Sequence, residues 1–321
     1  MENMDFHDVK TRKGLGGFAR KKWSERIFLA IIFAFPIVQV LVMYVGVNLN
    51  SILLAFKTYD SSTSTYYFSG FGNFKEVFRI FSGDTFLLGT IKRGMTYYFF
   101  NTFVGMPINL GVAYLLYKRI RGAEFFRTVL FVPSLISSMA MVIMFQNFVN
   151  EGITQIFIDA FHYDVYDVPR FFTDPTIAFP IMIFYNLWVG VGGGMIIYMS
   201  AMSRVPVSVI EYGRLEGISL FREFISVIFP MIYPTVALFF VTGLPGLFMG
   251  NGPLYAFYGD KAQPEMQTLA YYLFTRIVGE NSSFQQYPFA SAVGLTTTFI
   301  MAPIVFAARK ILDRFDPNVE Y

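Results

Sequence analysis

Three groups of residues in this sequence have types and spacings that could do chemistry. Asp164 and Asp167 form an Asp-x-x-Asp pattern, which on a helix would place both carboxylates on one face and let them hold a divalent cation. Solvated acids in a loop give the same pattern far more often, so no metal site is predicted. The chain has no Cys, and His7 and His162 are its two His, which excludes Cys-ligated zinc, iron–sulfur clusters and most Ser–His arrangements.

The second group is a glycine run at 190–194, which reads Gly-Val-Gly-Gly-Gly. It lies inside an apolar segment and not at a strand-to-helix turn, so it is not expected to cradle phosphates. No Gly in the chain is followed by Lys, and a Walker A loop is therefore absent. If ATP drives this protein, another subunit must bind it, and no cofactor is predicted in this chain.

The third group lies in residues 203–230. Gly217 interrupts the segment and allows a left-handed turn residue, and Pro206 and Pro230 bracket it. Apolar residues that recur every three or four positions form one helical face, and these are Leu215, Ile218, Phe221, Ile225 and Ile228. The spacing predicts a short helix, a glycine turn and a second helix. Such a unit is either a lever that docks on a partner or an amphipathic surface helix with no partner.

The rest of the sequence indicates the elements that must position these groups. Hydrophobic residues make up 55% of the 321 residues and charged residues 15%, whereas a soluble domain averages about 25% charged. Apolar runs of about 20 residues, the length that crosses a bilayer, lie at 27–47, 95–117, 128–148, 176–201, 231–249 and 287–308. We therefore expect an all-α integral membrane protein, with one six-helix domain over 27–308. None of these runs contains an ionisable residue, so energy coupling is not expected inside the membrane.

The distribution of Lys and Arg predicts the orientation. Seventeen of them fall in the tail 1–26, the loop after the second run, the loop 203–230 and the tail 309–321, and eight fall on the other side. Because cytoplasmic segments carry the excess of positive charge, both termini and the loop 203–230 should be cytoplasmic. The basic tail 1–26 is either a topology signal alone or also a contact with an anionic membrane surface.

The loop 203–230 resembles the Glu-Ala-Ala motif of binding-protein-dependent ABC importer permeases. That motif reads Glu-Ala-Ala, three residues, Gly, nine residues, Ile, one residue and Leu-Pro. The chain matches its spacing at Glu211, Gly217, Val227, Phe229 and Pro230. It departs from it at Tyr212 and Gly213, which replace the two alanines, and Glu216 stands for the acidic residue that usually precedes the glycine.

Other segments resemble the maltose-type sugar permeases of this family. Residues 121–137, Asn101-Thr102 and Trp188 are similar to it in place. Residues 55–60, Ala-Phe-Lys-Thr-Tyr-Asp, and the Phe-Gly-Asn-Phe turn at 71–74 are similar to the branch that imports polysaccharides or large oligosaccharides, and within it to the permeases of alginate importers.

The resemblance implies a type I ABC importer permease bundle of six spans with cytoplasmic termini, a non-catalytic translocation subunit of the bacterial inner membrane. The implied partners are a second six-helix permease of different sequence, two cytoplasmic ATPase subunits that bind ATP and Mg, an extracytoplasmic solute-binding protein and a carbohydrate, with no nucleic acid. The residues implied to couple to the ATPase are Glu211, Tyr212, Gly213, Glu216, Gly217, Phe221 and Pro230.

The resemblance also implies a substrate pathway on the spans that flank the loop, around 185–194 and 243–251. The expected pathway residues are Asn186, Trp188, Gly193, Gly246, Phe248 and Asn251. The glycines of these two segments either allow close packing of helices or widen the lumen for a bulky polymer. The sequence leaves both explanations open.

Two other classes of function compete with the importer permease. An ion-coupled secondary sugar transporter would need ionisable groups that the spans lack, and it gives no reason for the spacing in the loop. A membrane enzyme acting on a lipid-linked sugar would need more than Asp164 and Asp167. The sequence therefore favours the transmembrane subunit of an ATP-driven importer of polysaccharide or oligosaccharide.

Overall fold

The computed structural model describes residues 15–164, 166–279 and 282–317, so parts of the predicted tails 1–26 and 309–321 lie outside the described residues. In the described part, five helical runs are long and apolar enough to cross a membrane, and a sharply bent helix pair is a sixth if it counts as one span. Numbered by the predicted spans that they match, the five runs are the first run (Glu25–Leu54), the second (Thr85–Tyr117), the fourth (Pro175–Met202), the fifth (Leu220–Gly243) and the sixth (Gln286–Arg314).

The first run stands apart from the others in its packing. It is built from α1 (Leu15–Gln39), a π-helical segment (Val40–Gly46) and α2 (Val47–Leu54). None of its most apolar stretch is buried against the rest of the described chain. A surface this apolar must be covered by lipid or by another protein chain.

A small hairpin follows the first run, which corrects the expectation of a purely helical chain. Strand β1 (Lys57–Asp60) pairs antiparallel with β2 (Thr65–Phe68). The Asp60 carboxylate accepts hydrogen bonds from the backbone N–H and the hydroxyl of Ser62, at 2.9 and 2.7 Å, which closes the turn. These bonds, together with those from Thr63, hold the pKa of the Asp60 carboxyl below its usual value because they favour the charged form.

The second run is preceded by helix α3 (Gly72–Gly83) and consists of α4 (Thr85–Phe100), a π-helical segment (Asn101–Gly105) and α5 (Met106–Tyr117). Asp84 starts it, because its carboxylate accepts hydrogen bonds from the first free N–H groups of α4. The helix begins ten residues before the predicted run and so includes Arg93. The Arg93 guanidinium donates to the carbonyl of Gln267 at 2.7 Å.

The predicted third span is broken. Helix α6 (Ala123–Leu135) is followed by α7 (Ser138–Asn147), a π-helical segment (Phe148–Ile153) and α8 (Thr154–Phe161). The direction changes by 107° between α6 and the helical run that starts at Ser138. The expected six spans therefore correspond to five continuous helical runs that are long and apolar enough to cross a membrane and to one bent pair, and the six crossings stay a prediction.

Helix α9 (Pro175–Met202) is the fourth run and the centre of the bundle. It packs against α5 and α6, and it contributes to both of the larger apolar clusters, with Met182 in one and Met195 in the other. Both methionine side chains are fully buried. The position of α9 makes it the element against which the neighbouring spans are oriented.

The loop 203–230 and the fifth run are continuous in structure. The segment contains α10 (Val207–Leu215), α11 (Leu220–Glu223), a π-helical segment (Phe224–Ile228) and α12 (Phe229–Gly243), and the run breaks before α13 (Gly246–Met249). The predicted span 231–249 is therefore displaced, since its helix starts inside the loop and ends at Gly243.

The remaining helices complete the bundle. They are α14 (Leu254–Tyr258), α15 (Leu269–Val278) and α16 (Gln286–Arg314). Helix α16 packs against α12, α2 and α3, and α13 packs against α4. The short helices α13 and α15 therefore cover α4, the first half of the second run.

Candidate functional site

A polar cavity of about 400 Å³ lies between the second run, α9 and the broken end of the fifth run. Its lining residues are Tyr97, Tyr98, Asn101, Thr102, Met106, Asn109, Asn186, Tyr198, Phe239, Gly243, Gly246, Gly250, Asn251 and Gly252. All of these are uncharged, and amides and tyrosines predominate among them. A lining of this kind offers both donors and acceptors and favours a neutral polar ligand.

The polar groups of the cavity are only partly paired with one another. The Asn186 side-chain amide donates to the Asn101 side-chain oxygen at 2.9 Å, which joins α9 to the π-helical segment of the second run. Among the described residues, the buried Tyr97 hydroxyl and the Asn109 side-chain oxygen have no hydrogen-bond partner. Because an unpaired buried polar atom costs free energy, a hydrogen bond from a ligand or water that reached these atoms would be stabilising.

Three of the six predicted pathway residues line this cavity, namely Asn186, Gly246 and Asn251. Trp188 packs elsewhere, with its ring 6.0 Å from that of Phe145 and 6.4 Å from that of Tyr185. Phe248 belongs to the apolar contacts around α16. The rings on this wall are instead those of Tyr97, Tyr98, Tyr198 and Phe239, and a place for Trp188 and Phe248 on the pathway stays a prediction.

The glycine run of α9 divides into two kinds of position. A Cβ on Gly192 would lie 2.6 Å from the Leu130 carbonyl oxygen, and a Cβ on Gly194 would lie 2.3 Å from the Asn109 side-chain nitrogen. A Cβ on Gly190 or on Gly193 would have no atom within 4 Å. Close packing therefore explains the glycine at 192, whereas the widened lumen stays a prediction for Gly190 and Gly193, which border open space.

Gly190 and Gly193 continue the face of α9 that carries Asn186. They follow it by four and seven residues, which is the spacing of neighbours along one side of a helix. Their missing side chains leave open space below the cavity along that face. Gly193, the one predicted pathway residue not yet placed, thus lies next to the cavity and is not among its lining residues.

At the other end of the bundle, α10, Gly217 and α11 form an exposed unit, which we call the coupling loop (residues 203–230). Gly217 has a φ of 68°, which confirms the predicted left-handed turn. A Cβ on Gly213 would lie 2.7 Å from the Ile218 Cδ1, so this departure from the family motif makes room for the isoleucine that closes the turn. Glu216 continues α10, with its N–H donating to the Tyr212 carbonyl at 3.1 Å.

The side chains expected to couple to an ATPase are mostly exposed in this chain. Glu211 and Glu216 are exposed, Tyr212 is 71% exposed and Phe221 is 77% exposed. Pro230 lies in the first turn of α12, which directly continues the π-helical segment Phe224–Ile228, so the N–H that proline lacks is missing from the hydrogen-bond ladder of a continuous helical run. The predicted apolar face is not packed against the bundle as one stripe, because Leu215 is 84% exposed whereas Ile228 is fully buried.

Sequence reasoning missed a buried ion pair that holds the coupling loop to the second run. The Lys118 ammonium lies 2.6 and 2.9 Å from the two carboxylate oxygens of Glu223. Glu223 is 2% exposed. The two residues are 105 positions apart, so no local pattern relates them.

The Asp164-x-x-Asp167 pattern does not lie on a helix. Helix α8 ends at Phe161, His162 follows with a φ of 55°, and the Asp167 N–H donates to the Asp164 carbonyl at 2.9 Å in a turn. Residue 165 lies outside the described residues. Over the described part of the chain, no group of three or more His, Cys, Asp or Glu residues could hold a metal ion.

Apolar helical runs, an uncharged polar cavity beside broken helices, and a loop with exposed apolar residues indicate a helical membrane protein. Comparison with known proteins shows which proteins of this class the chain is similar to. The chain is 28% identical over 262 residues to the probable ABC transporter permease protein YesP of Bacillus subtilis. The aligned residues cover 79% of this chain and 80% of that protein. It is 22% identical over 312 residues to NgcF, the permease protein of a diacetylchitobiose uptake system of Streptomyces coelicolor, over 91% of this chain and 85% of that protein.

The fold has a solved counterpart. A chain of the bacterial alginate ABC transporter, crystallised in complex with an alginate pentasaccharide-bound periplasmic protein, superposes with a TM-score of 0.72 at 19% identity, over 92% of this chain and 98% of that chain. No protein-family profile matches the chain. The relatives are permease proteins of sugar ABC transporters, and the resemblance inferred from the sequence is confirmed.

Proposed function

We propose that this chain is the transmembrane permease subunit of an ATP-driven importer that moves a polysaccharide or oligosaccharide from a solute-binding protein into the cytoplasm. The observation that carries the proposal is the combination, in one chain, of an uncharged amide- and tyrosine-lined cavity with an exposed coupling loop that keeps the Glu-Ala-Ala spacing. A cavity alone would fit many transporters. The coupling loop adds a reason for a separate ATPase.

The chemistry of the cavity suits a carbohydrate. Sugar hydroxyls both donate and accept hydrogen bonds, as do the amides of Asn101, Asn109, Asn186 and Asn251 and the tyrosine hydroxyls. The open face below Asn186, at Gly190 and Gly193, gives a bulky ligand a path along α9. We propose that a second permease of different sequence forms the opposite wall of this path.

The coupling loop supplies the contact with the ATPase. Its exposed side chains include Tyr212, Leu215 and Phe221, which are rarely left in water without a partner at such density. In the proposed complex, two cytoplasmic ATPase subunits bind ATP and Mg, and this chain contributes no catalytic residue. The loop and both termini then face the cytoplasm, with six spans across the bacterial inner membrane.

The proposal is tested by purifying the tagged chain from its native membrane and reconstituting what accompanies it in lipid vesicles. We expect an ATPase and a second permease to co-purify, and sugar uptake to require ATP and loaded binding protein. Uptake by the chain alone, driven by an ion gradient, would overturn the proposal in favour of a secondary transporter.

The cavity is tested separately with Gly193→Leu, which should block uptake while the complex still assembles. Gly111→Leu is a matched control on α5, because that position also has open space and is not among the lining residues. Equal loss of uptake in both variants, or loss of assembly in step with uptake, would remove the pathway from this face of α9.

A further inference from the structure

The ion pair between Lys118 and Glu223 is buried to a degree unusual for a charged contact. The Lys118 side chain is 10% exposed and the Glu223 side chain 3% exposed. By contrast, the side chains of the Arg79–Glu76 pair on α3 are 76% and 43% exposed. Exposed ion pairs contribute little to stability because solvent screens their charges, whereas separating a buried pair is strongly destabilising because it leaves a charge without a partner. We therefore expect Lys118 and Glu223 to stay in contact, and the exposed Arg79–Glu76 pair to be free to separate.

Two further contacts join the same two elements. The Tyr114 hydroxyl donates to the Leu220 carbonyl at 2.9 Å, and the Tyr114 ring lies 5.0 Å from the Phe224 ring. Tyr114 and Lys118 are four residues apart and so share one side of the last turn of α5. The first turn of the helical run that follows Gly217 is thus fixed to the end of the second run by a charge pair, a hydrogen bond and an aromatic contact.

The second run leads directly from this junction to the cavity. Asn109 and Asn101 lie nine and seventeen residues before Lys118 on the same helical run, roughly 14 and 25 Å away at 1.5 Å per residue. Asn101 begins the π-helical segment Asn101–Gly105. Such a segment is an irregularity in the helical hydrogen-bond ladder and is common at functional sites.

We propose that the Lys118–Glu223 pair makes the coupling loop and the second run one mechanical unit, so that displacement of the loop moves the cavity residues Asn101 and Asn109. The inference rests on the proposed function in one respect, because it takes the ATPase as the source of the displacement. Lys118 and Glu223 are positioning residues, because neither lines the cavity and both side chains are largely buried. Coupling between two sites requires a contiguous path of packed groups or rigid elements, and here that path is the helical run from Tyr117, next to Lys118, back to Asn101.

The test is hydrogen–deuterium exchange of the whole chain in its native complex, in wild type, Glu223→Gln, Lys118→Arg and Glu76→Gln. For Glu223→Gln we expect roughly tenfold faster amide exchange at residues 220–224 and also at residues 101–106. Lys118→Arg keeps the charge and should stay close to wild type at both segments. Glu76→Gln breaks the exposed pair and should change neither. Residues 178–183 of α9 are the reference segment within each sample, and their exchange should not change.

If Glu223→Gln does not accumulate in the membrane, Tyr114→Phe is the milder variant, because it removes one hydrogen bond and keeps the ring. It should give a smaller increase at both segments. Faster exchange confined to residues 220–224 would overturn the inference, as would an equal increase at the α9 reference segment. Absence of an ATPase from the wild-type complex would instead overturn the proposed function, and the exchange pattern would still decide whether loop and cavity move together.

Discussion

The same substitution can be compared at two adjacent glycines of α9, Gly192 and Gly193. They lie in the same part of one helix, but the atoms around them differ. Replacing Gly by Ala in a helix interior stabilises by about 1 kcal/mol through backbone entropy. At Gly193 the new methyl group meets nothing within 4 Å, so that gain should remain. At Gly192 it would lie 2.6 Å from the Leu130 carbonyl oxygen and 2.9 Å from the Ser134 hydroxyl.

The clash at Gly192 falls on the backbone of α6, which cannot rotate away. Overpacking of this kind costs about 1–3 kcal/mol, which offsets the propensity gain and leaves Gly192→Ala destabilised by up to about 2 kcal/mol. The two variants should therefore differ by about 1–3 kcal/mol, with Gly193→Ala the more stable.

The assay is thermal unfolding of the detergent-solubilised chain, followed by tryptophan fluorescence. The chain has two Trp, and Trp188 is one helical turn from Gly192 in the apolar cluster around α9. Equal melting temperatures for the two variants, or a lower one for Gly193→Ala, would refute the division of this run into packed and open positions.

Three further predictions concern the coupling loop, the hairpin and the cavity. Glu211→Ala should weaken retention of the ATPase during purification by about tenfold or more, because a charged contact at the interface is lost. Gly217→Val should have the same effect because valine strains the left-handed turn. Wild-type retention in both variants would mean that this is an ordinary surface helix. Since the pKa of Asp60 is lowered in the folded chain, its contribution to hairpin stability is present above the unfolded pKa and is lost as the pH falls through the folded pKa. Hairpin amide protection, corrected for the intrinsic pH dependence of exchange, should drop below that pH in wild type and drop less in Ser62→Ala. Tyr97→Phe removes a buried hydroxyl that has no partner among the described residues. The melting temperature should therefore be unchanged or higher, while sugar uptake falls several-fold. Unchanged uptake would show that the hydroxyl does not contact the substrate.

The parts of the fold that local pattern could predict are those fixed by local physics. The apolar runs have the right length to cross a bilayer, and only glycine adopts the conformation at Gly217 without strain, so the spans and the turn could be read from neighbouring residues. The bend between α6 and α7 was missed although Pro133, Ser137 and Ser138 lie at it, because proline and serine are also tolerated inside membrane helices. The hairpin was missed for a related reason, since four-residue strands leave almost no periodic signal.

The candidate site was predictable only where a family motif covered it. Asn186 and Asn251 were found through their place beside the loop, whereas Asn101 and Asn109 line the same cavity because of how the second run packs on α9. Trp188 was assigned to the pathway by residue type, but its direction depends on the aromatic cluster with Phe145, which is a tertiary contact. Burial of a residue cannot be read from its type when the partner lies a hundred residues away.

The break in the fifth run has a consequence for water. Its helix ends at Gly243, resumes over Gly246–Met249 and stops again at Gly250, and these glycines border the cavity. Main-chain groups released at such breaks find no hydrogen-bonding partner in hydrocarbon, so they are tolerated where protein or water reaches them. A hydrated cavity inside a membrane would let protons and small ions leak unless a dry constriction of apolar side chains closes the path at another level. The permeability barrier must therefore be formed at a different level from this cavity, and a leak should appear where that seal, and not the wall of the cavity, is disturbed.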